Sequence, residues 1–288
     1  MPRAGGSPRN VAVGLARLGV ACSFLGKISN DAFGQMLADD LSANGIDLSS
    51  LVRSELPSAL AFVLEEGDGG EALQFYGEGT ADQDLSADEV PDSLLEDVEA
   101  VHFGSYSMVL GRTGSTLRSL MRSVQGQAVV SLDPNVRSLL LPNRDAYVRR
   151  IEGLVPFANL VKVSQKDLSW LFPDESSDEV ARHWLGARAD LIVVRIGDRG
   201  AIGYARSSTI HFSAVPIEVA DTVGAGDAFT AGLLAHLTGK GLLSKPALAT
   251  LSGHQLMGAL TYANRVAVLA CTKIGASPPP ADELADKG

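Results

Sequence analysis

Apolar positions along this chain switch repeatedly between helical spacing and short continuous runs. Val11, Leu15 and Leu18 recur at helical spacing, with small Ala and Gly between them and Gly19 behind, which predicts a helix over 10–18. Residues 22–28 read as a short buried strand, and 31–44 as a second amphipathic helix closed by Gly45. Between 51 and 90 the pattern turns β-rich. Two runs, 58–64 and 72–76, flank Gly67-Asp68-Gly69-Gly70 and predict a hairpin that forms a small β-sheet lid apart from the main sheet. From 98 onward strands (98–104, 128–132, 160–163, 191–196, 201–204, 209–212) alternate with helices (113–124, 144–155, 165–172, 176–187, 225–237, 246–269). Such alternation predicts one α/β domain over 1–288, its central, mostly parallel sheet flanked by helices on both faces. Ligands in folds of this kind bind beyond the carboxyl ends of the strands, where the Gly- and Asp-bearing loops of this chain fall. Residues 277–280, Ser-Pro-Pro-Pro, read as a trailing loop.

Composition narrows the class. The 288 residues are 45% hydrophobic and 20% charged, ordinary for a soluble protein with a sizeable core. A formal net charge of −10 excludes the broad basic face that nucleic-acid binding needs, so phosphates must be met locally by amides and a few Lys or Arg. No apolar run approaches membrane-spanning length, and no signal peptide is visible. Cys22 and Cys271 lie in apolar surroundings and read as buried free thiols, so a reducing cytoplasm is expected. The five histidines (His102, His183, His211, His236, His254) show no metal-ligand spacing.

The densest chemistry lies in Asp221-Thr222-Val223-Gly224-Ala225-Gly226-Asp227-Ala228-Phe229-Thr230-Ala231-Gly232. Two acids bracket a turn without bulky side chains, and an apolar helix follows at once. The amides of Gly224, Ala225 and Gly226, with the positive end of the helix dipole, form an anion hole for a phosphate gaining charge. Asp227 at its mouth is placed to take a proton from a substrate hydroxyl. The plainer alternative is an ordinary helix with an acidic first turn. Gly5 and Gly6 let backbone approach a ligand closely, and Asn10 suits ligand hydroxyls; the alternative is a leader with Asn10 as a helix cap. Asp133, Asn135 and Arg137 form a polar loop behind a buried strand. The Arg137 fork suits a phosphate or another pair of ligand oxygens, while Asp133 and Asn135 around Pro134 also suit a plain turn. Ser164 and Asp167 fit the N-cap and N3 positions of a helix, and Lys162 suits a phosphate. The stretch from Arg195 through Gly197 to Gly200 reads as strand, tight turn and strand.

The stretch 5–19, opening Gly5-Gly6-Ser7-Pro8-Arg9-Asn10, resembles the N-terminal signature of the PfkB (ribokinase-like) sugar kinases. Residues 221–232 resemble their C-terminal signature, and the likeness spans essentially the whole chain. Asp133-Pro134-Asn135-Val136-Arg137 is similar to the Asp-x-Asn-x-Arg loop of the fructokinase and 2-keto-3-deoxygluconate kinase branches. Gly104-Ser105-Tyr106-Ser107 and Gly79-Thr80-Ala81-Asp82 look more like the fructokinase branch. The resemblance implies ATP-dependent phosphorylation of a small sugar, most simply fructose, with Asp227 as base. It places sugar contacts at Gly5, Gly6, Asn10, Asp133, Asn135 and Arg137. Nucleotide contacts fall at Lys162, Ser164, Arg195, Gly197, Gly200 and Asn264. Where the family carries an Asn-x-x-Glu element tied to Mg²⁺, this chain has Ser164 and Asp167. The shorter Asp167 is expected to serve the ion through water. A K⁺ site is implied between Asp221 and Val223 on one side and Ala270, Lys273 and Gly275 on the other. A second copy pairing through the lid would give a homodimer.

Two further expectations follow. Family members open with a strand carrying an Asp, upstream of the Gly-Gly motif. Here Met1 stands only four residues before Gly5, so that strand is expected to be missing and two sheet edges unpaired. Rival functions are the same chemistry on 2-keto-3-deoxygluconate or another sugar or nucleoside, and a relative that binds sugar or nucleotide without turnover. A Rossmann-type binder is disfavoured because no Gly-x-Gly-x-x-Gly follows an opening strand.

Overall fold

The computed structural model describes residues 2–65, 71–140, 143–214 and 219–285. The Gly67-Asp68-Gly69-Gly70 turn lies outside them. The chain runs through α1 (Ser7–Arg17), β1 (Gly26–Ser29), α2 (Ala32–Ala43), β2 (Leu51–Ser54), β3 (Leu60–Glu65) and β4 (Glu71–Tyr76). Then come β5 (Ala100–Gly104), α3 (Gly111–Val124), β6 (Val129–Asp133), α4 (Arg144–Glu152), β7 (Leu160–Ser164), α5 (Gln165–Leu171) and α6 (Ser177–Gly186). The remainder is β8 (Leu191–Arg195), β9 (Gly200–Ala205), β10 (Ser208–Ser213), α7 (Ala225–Gly239), α8 (Lys245–Ala249), α9 (Gly253–Cys271) and α10 (Ala281–Ala285).

Six strands form the central sheet in the order β10-β9-β8-β7-β6-β5. β5 to β8 run parallel, and β9 and β10 return antiparallel. The middle strands are apolar almost without break because both faces are covered. Along β7, Val161 and Val163 join a core with Leu132, Ile151 and Trp184, while Leu160 points to the opposite core with Phe229, Leu233 and Leu260. The first core lies under α3 to α6, the second under α7 and α9. No helix among the described residues is long and apolar enough to cross a membrane. Both cysteines are free; Cys271 is buried, Cys22 half-buried.

The lid is a hairpin of its own, with β3 and β4 antiparallel from Leu60 opposite Tyr76 to Glu65 opposite Glu71. Residues 51–54, grouped with the lid by pattern, instead form β2 and pair parallel with β1. Residues 2–6 form no strand. Among the described residues β1 pairs only with β2 and β5 only with β6, so the two expected free edges are present. A groove of about 830 Å³ separates them, lined by Val11 and Leu15 of α1 on one side and Leu117 and Leu120 of α3 on the other.

Several boundaries move for local reasons. α1 begins at Ser7, with Pro8 in its first turn, where a missing N–H costs nothing. The helix expected over 246–269 is two helices. Ser252 starts the second: its hydroxyl accepts from the Gln255 amide, and Gln255 Oε1 accepts from the Ser252 amide. The strand expected over 22–28 shortens to Gly26–Ser29, and the Pro-rich tail leads into α10.

Candidate active site

The carboxyl ends of the parallel strands carry the polar residues. Asp133 ends β6, Ser164 ends β7 and Arg195 ends β8. The start of α7 faces them. Gly224 is its N-cap, in the left-handed region at φ +77°. A Cβ there would stand 2.6 Å from Ala276 Cβ, so the position requires glycine twice over. The first-turn amides of a helix have no acceptor within it. That of Ala225, expected in the anion hole, turns back onto Thr222 O at 3.2 Å, and that of Ala228 bonds Gly224 O at 2.8 Å, which leaves the Gly226 and Asp227 amides between them to face a ligand.

Asp227, the third residue of α7, is 5% exposed. Ser7 Oγ donates to its Oδ1 at 2.7 Å, and Asn10 Nδ2 donates to its Oδ2 at 2.8 Å. Asn135 Nδ2 donates to Ser7 Oγ at 2.7 Å and, more weakly, to Asp227 Oδ1 at 3.3 Å. Burial pushes the Asp227 carboxyl above the usual range; Asn10, Ser7 and the Lys162 charge pull it down, and Asp133 adds to the rise. Asn10 and Asn135, expected to serve the sugar, are thus turned toward Asp227. Lys162 Nζ lies 2.8 Å from Asp133 Oδ2, and Thr230 Oγ1 reaches the same oxygen at 3.4 Å. A Cβ on Gly226 would stand 3.3 Å from Lys162 Nζ, so the ammonium lies against the Gly-Ala-Gly turn. Arg137 Nη1 donates to Asn135 Oδ1.

The remaining predicted residues divide. Ser164 Oγ accepts from the Asp167 amide at 3.0 Å, the N-cap arrangement expected of the pair. Burial raises the Asp167 carboxyl. Arg195 lies in register with Ser164 on the neighbouring strand; burial works against its charge, while Asp133, Asp198 and Asp227 are among the groups supporting it. Gly200, at φ +116°, would put a Cβ 2.1 Å from Phe212 O; packing against β10 accounts for it, whereas Gly197 faces open space. Asn264 is half-buried about two turns before the end of α9. Asp221 joins the two loops implied for K⁺: its Oδ1 accepts from the Val223 amide at 2.9 Å and its Oδ2 from the Gly275 amide at 2.7 Å. Ala270 O accepts from the Lys273 amide, and Lys273 Nζ pairs with Glu283 at 2.7 Å. The two fructokinase-like segments also meet, with Tyr106 OH donating to Asp82 Oδ2 at 2.8 Å. Gly5 and Gly6 line the groove beside Gly104 and Ser105. Sequence reasoning passed over Ser7 and Arg9. Both sit inside the Gly-Gly segment, but neither residue type signals a partner so far along the chain.

A carboxylate at the start of a glycine-opened helix, facing basic side chains at the ends of a parallel sheet, defines an α/β phosphotransferase of small molecules. The profile of the pfkB family carbohydrate kinases matches residues 2–283, and the chain belongs to that family. A fructokinase of Rhizobium leguminosarum bv. trifolii is 36% identical over 255 residues, which are 88% of this chain and 78% of the relative. The structure of fructokinase with bound ATP from Xylella fastidiosa superposes with a TM-score of 0.90 at 30% identity, covering 98% of this chain and 89% of that one. A double mutant of the Vibrio cholerae O395 fructokinase, solved with fructose, ADP and potassium ion, gives a TM-score of 0.84 at 26% identity, covering 98% and 89%. The fold is therefore ribokinase-like, as expected, and the chain is a sugar kinase.

Proposed function

We propose that this kinase transfers the γ-phosphoryl group of ATP to a hydroxyl of fructose, with Asp227 taking the hydroxyl proton. The observation that carries the reading is the seat of Asp227: a buried carboxylate in the first turn of α7, held through both oxygens and adjoining Gly224, Ala225 and Gly226. Burial raises its proton affinity, which makes it a better base than an exposed carboxylate. The amides and dipole at the same helix end favour the charge growing on the phosphoryl group. Lys162 and Arg137 add positive charge nearby. The names of the relatives support fructose over other sugars.

With Asn10 and Asn135 turned to Asp227, and Asp133, expected at the sugar, fully buried against Lys162, the sugar is met by the Gly5 and Gly6 backbone and Arg137. The nucleotide lies toward Lys162, Ser164, Arg195, Gly197 and Asn264. Mg²⁺ fits this donor set: Asp167 offers a hard oxygen ligand, and Mg²⁺ commonly takes one or two carboxylates beside waters and phosphates. When bound, the ion neutralises phosphate charge. K⁺ fits the loops joined by Asp221 and would steady the amides of the Gly-Ala-Gly turn. The lid closes over the sugar and excludes water. A cytoplasmic setting suits the two free thiols.

The test is ADP release by the purified chain with Mg-ATP and fructose, ribose, 2-keto-3-deoxygluconate or adenosine. Turnover on fructose, with Asp227→Asn losing most of it while ATP affinity stays nearly unchanged, is the expected outcome. Turnover on another substrate alone corrects the sugar. Ligand binding without turnover on any of them overturns the kinase assignment in favour of a binding protein.

A further inference from the structure

Two hydrogen-bond chains converge on Asp227, and each begins at a guanidinium. On one side Arg9 Nη1 donates to Asn10 Oδ1 at 3.0 Å, and Asn10 Nδ2 donates to Asp227 Oδ2 at 2.8 Å. On the other, Arg137 donates to Asn135, Asn135 donates to Ser7 at 2.7 Å, and Ser7 donates to Asp227 Oδ1 at 2.7 Å. A guanidinium only donates, so each asparagine must turn its oxygen to the arginine and its amide hydrogens inward. Ser7 Oγ receives Asn135 and therefore spends its single proton on Asp227. Arg9 is 7% exposed and is itself fixed by an ion pair with Asp40 of α2.

We infer that Ser7 and Arg9 are positioning residues of the phosphotransfer: they hold Asp227 oriented and ionised, Ser7 directly and Arg9 through Asn10. The inference rests on Asp227 being the base. Polarised chains of this kind strengthen each link, and donors to a carboxylate favour its charged form. The other charges facing Asp227 are Lys162 on β7, Asp133 on β6, Arg195 on β8 and Arg137 beyond Asn135. None is altered by changing Ser7 or Arg9. Removing a donor therefore raises the proton affinity of Asp227, and the base is lost at a higher pH.

The experiment is the pH profile of kcat for Ser7→Ala and Arg9→Met beside the parent, Asp227→Asn and Arg17→Met. Arg17 makes the other tie between α1 and α2, donating to Asn44 Oδ1 at 2.8 Å, and touches neither chain. Ser7→Ala and Arg9→Met are expected to move the acidic limb upward by about one pH unit each, the size of one charged hydrogen bond, with KM for ATP unchanged. Arg17→Met is expected to leave the limb in place. Ser7→Ala keeps a good helix residue at the same position, so it carries the test if Arg9→Met fails to fold. An acidic limb unmoved by Ser7→Ala, or moved equally by Arg17→Met, overturns the inference while Asp227→Asn remains inactive. Turnover surviving in Asp227→Asn overturns the base assignment instead.

Discussion

Lys162 Nζ, from the middle of β7, and Asp133 Oδ2, at the end of the neighbouring parallel strand β6, lie 2.8 Å apart, and both side chains are buried. A pair in this position is costly to break from one side, because the survivor keeps its charge without its partner. Lys162→Met is expected to destabilise the fold by about 3–5 kcal/mol. The double change Lys162→Met with Asp133→Leu removes both charges and should recover much of that loss, though not activity. Urea midpoints of the three proteins measure it; equal losses for single and double variants would show that the pair is not coupled.

The same ammonium lies against Gly226, and Gly224 holds the turn in its left-handed form. Gly224→Ala asks an L-residue to adopt φ +77° and drives a methyl into Ala276, which belongs to the loop bonded to Asp221. The backbone penalty alone is about 1–2 kcal/mol. The turn should tilt away from the transferring group, so kcat is expected to fall by at least tenfold with a smaller change in KM for the sugar. Steady-state kinetics on the folded variant decide it, and an unchanged kcat would mean that the turn does not serve the phosphoryl group.

Acid sensitivity should begin around β1 and α2. Glu89, bonded to Lys27 of β1 and to the Ser86 amide, falls from its ordinary 4.5 to about 2. Asp31 is pushed up by burial, but the Gly34 amide and the Ser58 amide and hydroxyl outweigh that and hold it at about 2. Both folded-state values lie below the unfolded ones. Their stabilisation is thus complete above the ordinary carboxylate range and lost as pH falls toward 2. Urea midpoints at pH 6 and pH 3 should differ more for the parent than for Asp31→Asn with Glu89→Gln, and equal differences would remove these groups from the account.

Much of this molecule was legible because its signals are local. The alternation of β5 to β8 with their helices, the N-cap at Ser164 and the helix start at Gly224 each declare themselves within a few residues. The arrangement around Asp227 was less so. Its contact with Ser7 spans 220 positions, and the Arg9–Asp40 pair spans 31, separations that no periodicity carries. Asn10 and Asn135 were singled out as sugar contacts, yet both turn to Asp227, an orientation set by arginines whose place only the folded chain reveals. The break between α8 and α9 was missed for a different reason. Apolar spacing continues across it, and the stop is set by a capping box at Ser252 rather than by Gly or Pro.

The lid carries the last prediction. β3 and β4 form a sheet of two strands, each with one edge unpaired among the described residues. A two-stranded sheet is marginal by itself. One face is pinned to the body, where Phe75 meets Tyr106 edge-on at 5.4 Å. The other presents Phe62 and Tyr76, 48% and 58% exposed, in an edge-to-face pair at 5.7 Å. Their register is diagonal across the hairpin, Leu60 opposite Tyr76 and Phe62 opposite Gln74, so the two rings cover one continuous patch. We propose that a second copy of the lid covers it. Sedimentation at micromolar concentration should give a dimer for the parent and a monomer for Phe62→Ser with Tyr76→Ser, whose body should still melt cooperatively. The monomer is also expected to show a raised KM for sugar with ATP affinity unchanged, because an unsupported lid closes less completely. A parent that sediments as a monomer at every concentration would refute the pairing and leave the aromatic patch to meet the bound sugar or nothing.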